Sequence, residues 1–119
     1  MTFSPLLCHS ADILAGSHRV SAGRDTVVWT VVATIPCRFT RPQTAIARPA
    51  EGAIIDTVDA RVYTGPELEP LVKRYRLPLR FSTENEGWTG TYELRTMPEW
   101  YTADSLRIHH GECDVTKVV

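Results

Sequence analysis

The chain has 119 residues, 43% of them hydrophobic, with 13 basic and 14 acidic side chains and a formal charge of −1. This length suits one domain with a single core, which buries about two thirds of the unfolded surface. The near-neutral charge argues against a dedicated nucleic-acid binder, and the lack of an apolar run of about 18 residues argues against a membrane-spanning helix.

Apolar and polar residues alternate from Thr26 to Val118 in short runs that proline and glycine interrupt. A period of two is typical of half-buried strands. The sequence therefore predicts an all-β fold, a small antiparallel β-barrel of about six to eight strands with one long inserted loop. Residues 1–10 are apolar but unpatterned and are interpreted as an N-terminal arm, followed by a single domain at 11–119.

The first predicted elements form a hairpin. Short strands at Ala11–Ala15 and Ser17–Val20 lead into a turn at 21–25, whose composition favours a chain reversal. Thr26–Ile35 is rich in β-branched residues and is expected to be a central strand. One face of that strand is predicted to carry Val27, Trp29, Val31, Ala33 and Ile35.

A long loop is predicted after this strand. Pro36 has no amide donor, so we expect a bend or a sheet edge there, with Cys37 and Phe39 pointing into the core beyond it. Arg41–Asp56 contains two prolines and a glycine and has neither helical nor strand periodicity. Loops of about 15 residues are uncommon in compact domains and are usually functional or disordered. We interpret this one as functional, with a plain solvated connection as the alternative.

Alternation returns at Thr57 and ends at Gly65–Pro66, and a short acidic connector follows at 67–70. From Lys73 to Phe81 the alternation predicts another strand. Its outer face is expected to present an arginine stripe, which suits a phosphate or an acidic partner surface. A solvated outer face is the alternative interpretation. The stripe consists of Arg74, Arg76 and Arg80.

The last third of the chain predicts a strand at Trp88–Met97 that continues the sheet by a hairpin, a loop at Pro98–Thr102 and a final strand at Asp104–Val118 with a bulge near Gly111. The loop carries two adjacent aromatic residues. These residues, Trp100 and Tyr101, join the three arginines as candidate interface residues.

No motif supports catalysis. The sequence has no phosphate-binding glycine loop and no nucleophile elbow. On a strand, His109 and Cys113 lie about 13 Å apart, too far to share one metal ion. The three cysteines have no C-x-x-C spacing, so we expect reduced, mostly buried thiols. We expect neither an enzyme nor any metal or cofactor.

Charge is unevenly distributed along the chain. Residues 1–80 contain 10 basic and 7 acidic side chains, a balance of +3, whereas residues 81–119 contain 3 and 7, a balance of −4. A subunit with two oppositely charged parts suits stacking between unlike neighbours.

From Pro36 onward, several short motifs follow one another in a fixed order. In that order the chain resembles the head-to-tail stopper proteins (head-completion or head-closure proteins) of long-tailed bacteriophages, over about 80 of its 119 residues. The family often has a glycine-aspartate turn where this chain has Leu71–Arg74. The motifs are Ile35–Phe39, the long loop, Ala60–Tyr63, the acidic-proline connector with Arg74–Leu77, Gly90–Leu94, Pro98 and Ile108–Val115.

The resemblance implies a virion protein, assembled in the host cytoplasm, that forms a hexameric or dodecameric ring at the neck. The ring would join the portal and adaptor above to the tail terminator or other tail proteins below, with no membrane partner. It would retain double-stranded DNA non-specifically through a channel-facing loop, with Arg48 as the phosphate contact. The implied gate residues are Arg41, Ile46, Ala47, Arg48, Glu51, Ile54 and Ile55.

Two alternatives remain open. A tail terminator or another neck protein is one, although terminators carry helices on a sheet and no segment here sustains a helical stripe over three turns. A small oligonucleotide-binding β-barrel is the other, because it would explain an arginine stripe close to aromatic residues.

Overall fold

The computed structural model describes residues 7–42, 58–104 and 107–118. Over these ranges the chain forms seven strands and one helix. The elements are β1 (His9–Ser21), β2 (Arg24–Thr40), β3 (Ala60–Thr64), α1 (Leu68–Tyr75), β4 (Leu79–Thr83), β5 (Gly90–Leu94), β6 (Glu99–Asp104) and β7 (Arg107–Lys117).

Over the described residues, the strands form one antiparallel sheet in the order β3-β2-β1-β4-β5-β7-β6. An additional pairing of β3 with β7 closes six of the seven strands into a ring, and β6 attaches to β7 outside it. The prediction of a small all-β fold is confirmed. We call the closed sheet together with α1 the body.

The core lies inside the body and is formed by alternate residues of its strands, as the period of two predicted. The predicted inward positions of Cys37 and Phe39 are confirmed. Burial raises the pKa of the Cys37 thiol to about 12 and also raises that of Cys113, whereas Cys8 is exposed. The largest fully buried side chains include Ile13, Val62, Leu68, Leu79, Phe81, Leu94 and Val115.

The connector and the start of the strand predicted at Lys73–Phe81 are instead the helix α1. Leu68 and Val72, one turn apart, are buried. Pro70 is tolerated because it lies in the first helical turn, where its missing amide has no intrahelical partner. β4 begins only at Leu79. Within the described ranges, no helix is long and apolar enough to cross a membrane.

The two short strands predicted near the N-terminus are one continuous strand, β1. It starts at His9, so residues 9–10 belong to the sheet and not to an N-terminal arm, whose residues 1–6 lie outside the described residues. β2 runs through Pro36 to Thr40 without a break. Pro36 lies one residue before β2 begins to pair with β3, so its missing amide interrupts no bond to β3.

A bulge divides the face predicted for β2. Ile13 pairs with Ala33 but Leu14 pairs with Val31, which leaves Val32 as an extra residue in β2. Cross-strand partners share a face, so Ala33 lies on the inner face with Ile13, whereas Val31 lies on the outer face with Leu14. The prediction that Val27, Trp29 and Val31 share a face with Ala33 and Ile35 is therefore wrong.

The first hairpin extends beyond the body. β4 pairs with β1 only along 12–15, and β3 pairs with β2 only along 37–40. Residues 16–29 therefore form a two-stranded ribbon, about 20 Å long over its six residue pairs. We call it the projecting hairpin.

The C-terminal strands also differ from the prediction. Most of the loop predicted at Pro98–Thr102 belongs to β6. The predicted bulge near Gly111 is confirmed: Tyr101 pairs with His110 and Thr102 with Ile108, which leaves His109 as the extra residue of β7.

Candidate functional site

The described residues place the two ends of the predicted long loop side by side. β2 and β3 are antiparallel neighbours. Thr40, two residues before the described end at Pro42, pairs with Arg61, three residues after the described range resumes at Val58. Asp59 fixes the return: its amide donates to the carbonyl of Val115 at 3.0 Å, and its carboxylate accepts from the amide of Lys117 at 2.6 Å. Segment 43–57 is thus inserted at one firmly paired end of the body.

Most of the predicted gate residues lie outside the described residues. Arg41 is described and is exposed. The gate residues outside the described ranges are Ile46, Ala47, Arg48, Glu51, Ile54 and Ile55.

A charged cluster lies on the outer face of β3, β7 and β6. Arg61 donates to Glu112 through Nε at 3.3 Å and through Nη2 at 3.0 Å, and to Asp114 through Nη1 at 3.0 Å. Glu99 lies 3.8 Å from the same guanidinium. His110 Nε2 lies 2.9 Å from the second carboxylate oxygen of Glu112. One arginine thus faces three carboxylates.

The electrostatics of the cluster follow from these contacts. Burial alone raises the pKa of Glu112, but hydrogen bonds from His110 and Arg61 outweigh it and hold that pKa below its usual value. Burial alone lowers the pKa of Arg61, but its bonds to Glu112 and Asp114 raise it overall. With three carboxylates to one permanent cation, the cluster leaves this face with an acidic excess.

The two aromatic interface candidates point to opposite faces of β6. Tyr101 is exposed, stacks on the ring of His110 at 4.9 Å and donates to Glu99 at 2.7 Å. Trp100 pairs with Gly111 and packs against the core. Tyr101 is therefore available on the outer surface, and Trp100 is half-buried.

The predicted arginine stripe does not exist as one face of a strand. Arg74 belongs to α1, Arg76 is the residue that ends it, and only Arg80 belongs to a strand, β4. Arg80 is partly buried against Trp29 and lies 3.4 Å from Glu93. Arg74 and Arg76 are exposed.

Sequence reasoning missed the projecting hairpin as a surface feature. The outer face of the body, on which Leu14 lies, continues along the hairpin through Val31, Trp29 and Val27. Val20, Val31 and Val27 are 75%, 53% and 45% exposed. The valines on both faces of the predicted strand were a signal of this surface. A two-stranded ribbon without a second layer packed on it cannot bury the valines of both faces.

The described residues show surfaces suited to binding. No group of three or more His, Cys, Asp or Glu side chains among them is arranged to hold a metal ion. The charged cluster pairs its groups with one another, and the projecting hairpin presents unpaired strand edges and apolar side chains.

Comparison with known proteins finds no matching family model, no significantly similar curated protein and no significantly similar solved structure.

Proposed function

We propose that this chain is a structural protein of a bacteriophage neck, a head-to-tail stopper that forms a ring and retains packaged DNA. The proposed ring joins the portal and adaptor to the tail, and segment 43–57 narrows its channel around double-stranded DNA. The role is steric and electrostatic and requires no catalysis or cofactor.

The insertion geometry is the observation that carries this proposal. The strands before and after segment 43–57, β2 and β3, are antiparallel neighbours, and Asp59 ties the chain's return to β7 through two hydrogen bonds. A firmly paired sheet can thereby carry an insertion at one end. In a ring, identical insertions act together, because neighbouring copies raise each other's effective concentration.

Surface charge also supports an assembly role. The outer face around Arg61 has three carboxylates to one arginine, whereas Arg74 and Arg76 are exposed on and after α1. Unlike surfaces of this kind favour stacking between different neighbours. The exposed aromatic ring of Tyr101 adds contact area next to the acidic face.

The oligonucleotide-binding alternative loses its main support. It rested on three arginines sharing an exposed strand face, whereas Arg74 and Arg76 lie on and at the end of α1 and Arg80 is held by Trp29 and Glu93. The described helix is also only eight residues long, which does not favour a terminator with helices packed on a sheet.

Deletion of residues 45–53 tests the proposed gate. The body should remain folded, because both flanks of the deletion stay anchored through Thr40, Arg61 and Asp59. Phage heads filled with DNA and closed by the variant should lose DNA, as measured by nuclease sensitivity of the packaged genome. Full retention would contradict the gating role.

Two controls make the result interpretable. The amount of the chain in purified particles shows whether the variant still assembles. A Gly/Ser segment of equal length in place of 45–53 separates the loss of side chains from the loss of length. Leakage with normal occupancy supports the gate.

A further inference from the structure

The projecting hairpin has two strand edges without partners among the described residues. Beyond Ala15, β1 pairs only with β2, and β2 pairs with β3 only from Cys37 onward. An isolated two-stranded ribbon is marginally stable in water, and an open edge is a template for another strand. Its β2 edge is rich in β-branched residues, which favour strand pairing.

The two faces of the hairpin differ in character. On the outer face, Gly16 pairs with Trp29 and His18 with Val27. This face is mainly apolar but also carries Asp25, whose carboxylate lies 3.3 Å from His18. The opposite face holds the pairs of Arg19 with Thr26 and of Ser21 with Arg24. The hairpin therefore has one face that is mainly apolar apart from the pair of His18 with Asp25, and one face that carries both of its arginines.

A second open edge exists on the same chain. β6 is the last strand in the sheet order and pairs only with β7 among the described residues. Its outer face carries Glu99 and Tyr101 next to the acidic excess around Arg61. Its other face carries Trp100, on the core side.

We propose that the projecting hairpin of one copy adds its β2 edge to the free edge of β6 in a second copy of this chain. In the sheet that this pairing forms across the two copies, the hairpin face that carries Arg19 and Arg24 lies beside the β6 face that carries Glu99. The apolar face then continues the face of Trp100. Backbone bonds supply affinity, and the two faces fix the orientation.

Charge favours pairing of the hairpin with β6 of a second copy over pairing with the hairpin of a second copy. Joining two hairpins edge to edge would bring Arg19 and Arg24 of both copies together on one face, while Asp25, the hairpin's one carboxylate, lies on the opposite face beside His18. Joining a hairpin to β6 places those arginines beside carboxylates. The contact uses different surfaces on the two copies, so repetition produces a closed ring or an open filament. The inference rests on the proposed ring and specifies its subunit contact.

Cross-linking tests the contact directly. In a Cys8→Ser background, Val27→Cys and Thr102→Cys protein are mixed and treated with a short bismaleimide. Both positions are exposed, Val27 on the hairpin face with Trp29 and Thr102 on the β6 face with Trp100. Cross-linked dimers are therefore expected in the mixture and are not expected in Val27→Cys protein alone. Thr89→Cys, an exposed threonine in the turn before β5, is the matched control.

Charge reversal provides the second arm. Arg24→Glu should weaken self-association by at least about tenfold in sedimentation, and adding Glu99→Arg to the same chain should restore it. Lys73→Glu, at an exposed lysine of α1 that belongs to no proposed contact, should leave association unchanged. Failure of the second change to rescue the first would overturn the predicted charge pairing.

The outcomes separate this inference from the proposed function. Cross-links between two Val27→Cys copies, or rings without Val27 to Thr102 cross-links, overturn the hairpin contact and leave the neck role standing. A chain that cross-links as predicted but is absent from the neck of phage particles overturns the neck role alone. A chain that stays monomeric at the highest attainable concentration overturns the contact.

Discussion

The guanidinium carbon of Arg80 lies 3.9 Å from the centroid of the Trp29 ring, at the point where the projecting hairpin leaves the body. Arg80 belongs to β4 and also lies 3.4 Å from Glu93 of β5. Trp29 in turn covers Gly16, where an added Cβ would meet its ring at 3.2 Å. This chain of contacts ties the hairpin's base to two strands of the body.

Trp29→Ala should loosen the projecting hairpin without unfolding the body. It removes a cation–π contact of about 0.5–2 kcal/mol, and the free energy of local opening of the hairpin should fall by about that amount. Hydrogen exchange should accelerate at residues 16–29 and not in β3 or β7. Trp29→Phe, which keeps a ring over Gly16, is the matched control, and unchanged exchange in Trp29→Ala would contradict the clamp.

Gly111→Ala should destabilise the attachment of β6. A Cβ at Gly111 would lie 2.5 Å from Cζ3 of Trp100 and 3.0 Å from Oγ1 of buried Thr64. Overpacking of this kind costs about 1–3 kcal/mol, measurable by urea unfolding. Trp100→Leu should recover part of that loss in the double variant, and strictly additive effects would show that the two residues do not conflict.

Arg61→Met should be the most destabilising charge removal on the outer face. It leaves Glu112 and Asp114 without their common partner, and Glu112 is largely buried. The expected loss in free energy of unfolding is about 2–3 kcal/mol. Arg38→Met, at an exposed arginine of the neighbouring strand, should stay within about 0.5 kcal/mol. Equal effects of the two substitutions would contradict the central role of Arg61.

The stability of the protein should fall in acid through Glu112. Its pKa in the folded protein lies below the usual 4.5, so its contribution is present above the pKa of the unfolded chain and disappears as pH falls through the folded value. Urea unfolding at several pH values below about 5 measures this loss. Glu112→Gln should flatten the profile, whereas Glu86→Gln, on an exposed turn, should not.

Much of the fold could be predicted because strand alternation reports burial directly. Ala60 and Val62 are buried as their spacing predicted, and so are Phe81, Tyr92 and Leu94.

The helix was missed because Pro70 masks a helical spacing of Leu68, Leu71, Val72 and Tyr75. The last residues of α1 also alternate between apolar and polar as a strand would, so the strand predicted from this alternation wrongly included the end of α1. Two turns are too few for the helical period to outweigh that alternation.

The surfaces were less predictable than the core. The bulge at Val32 changes which residues of β2 point outward, and a single extra residue leaves no signature in a run of valines and threonines. The arginines at 74, 76 and 80 share a sequence parity but belong to different elements. Whether a strand has a neighbour depends on pairing across the whole chain, so the local sequence does not show that the edges of residues 16–29 lack partners among the described residues.

Electron cryo-microscopy of intact phage particles whose genome encodes this chain tests the central claim most directly. We expect a ring of copies of the closed sheet at the head-to-tail junction, with segment 43–57 directed into a channel that holds DNA. A chain found elsewhere in the particle or absent from it, or a ring whose 43–57 segments point away from the channel, would contradict the account.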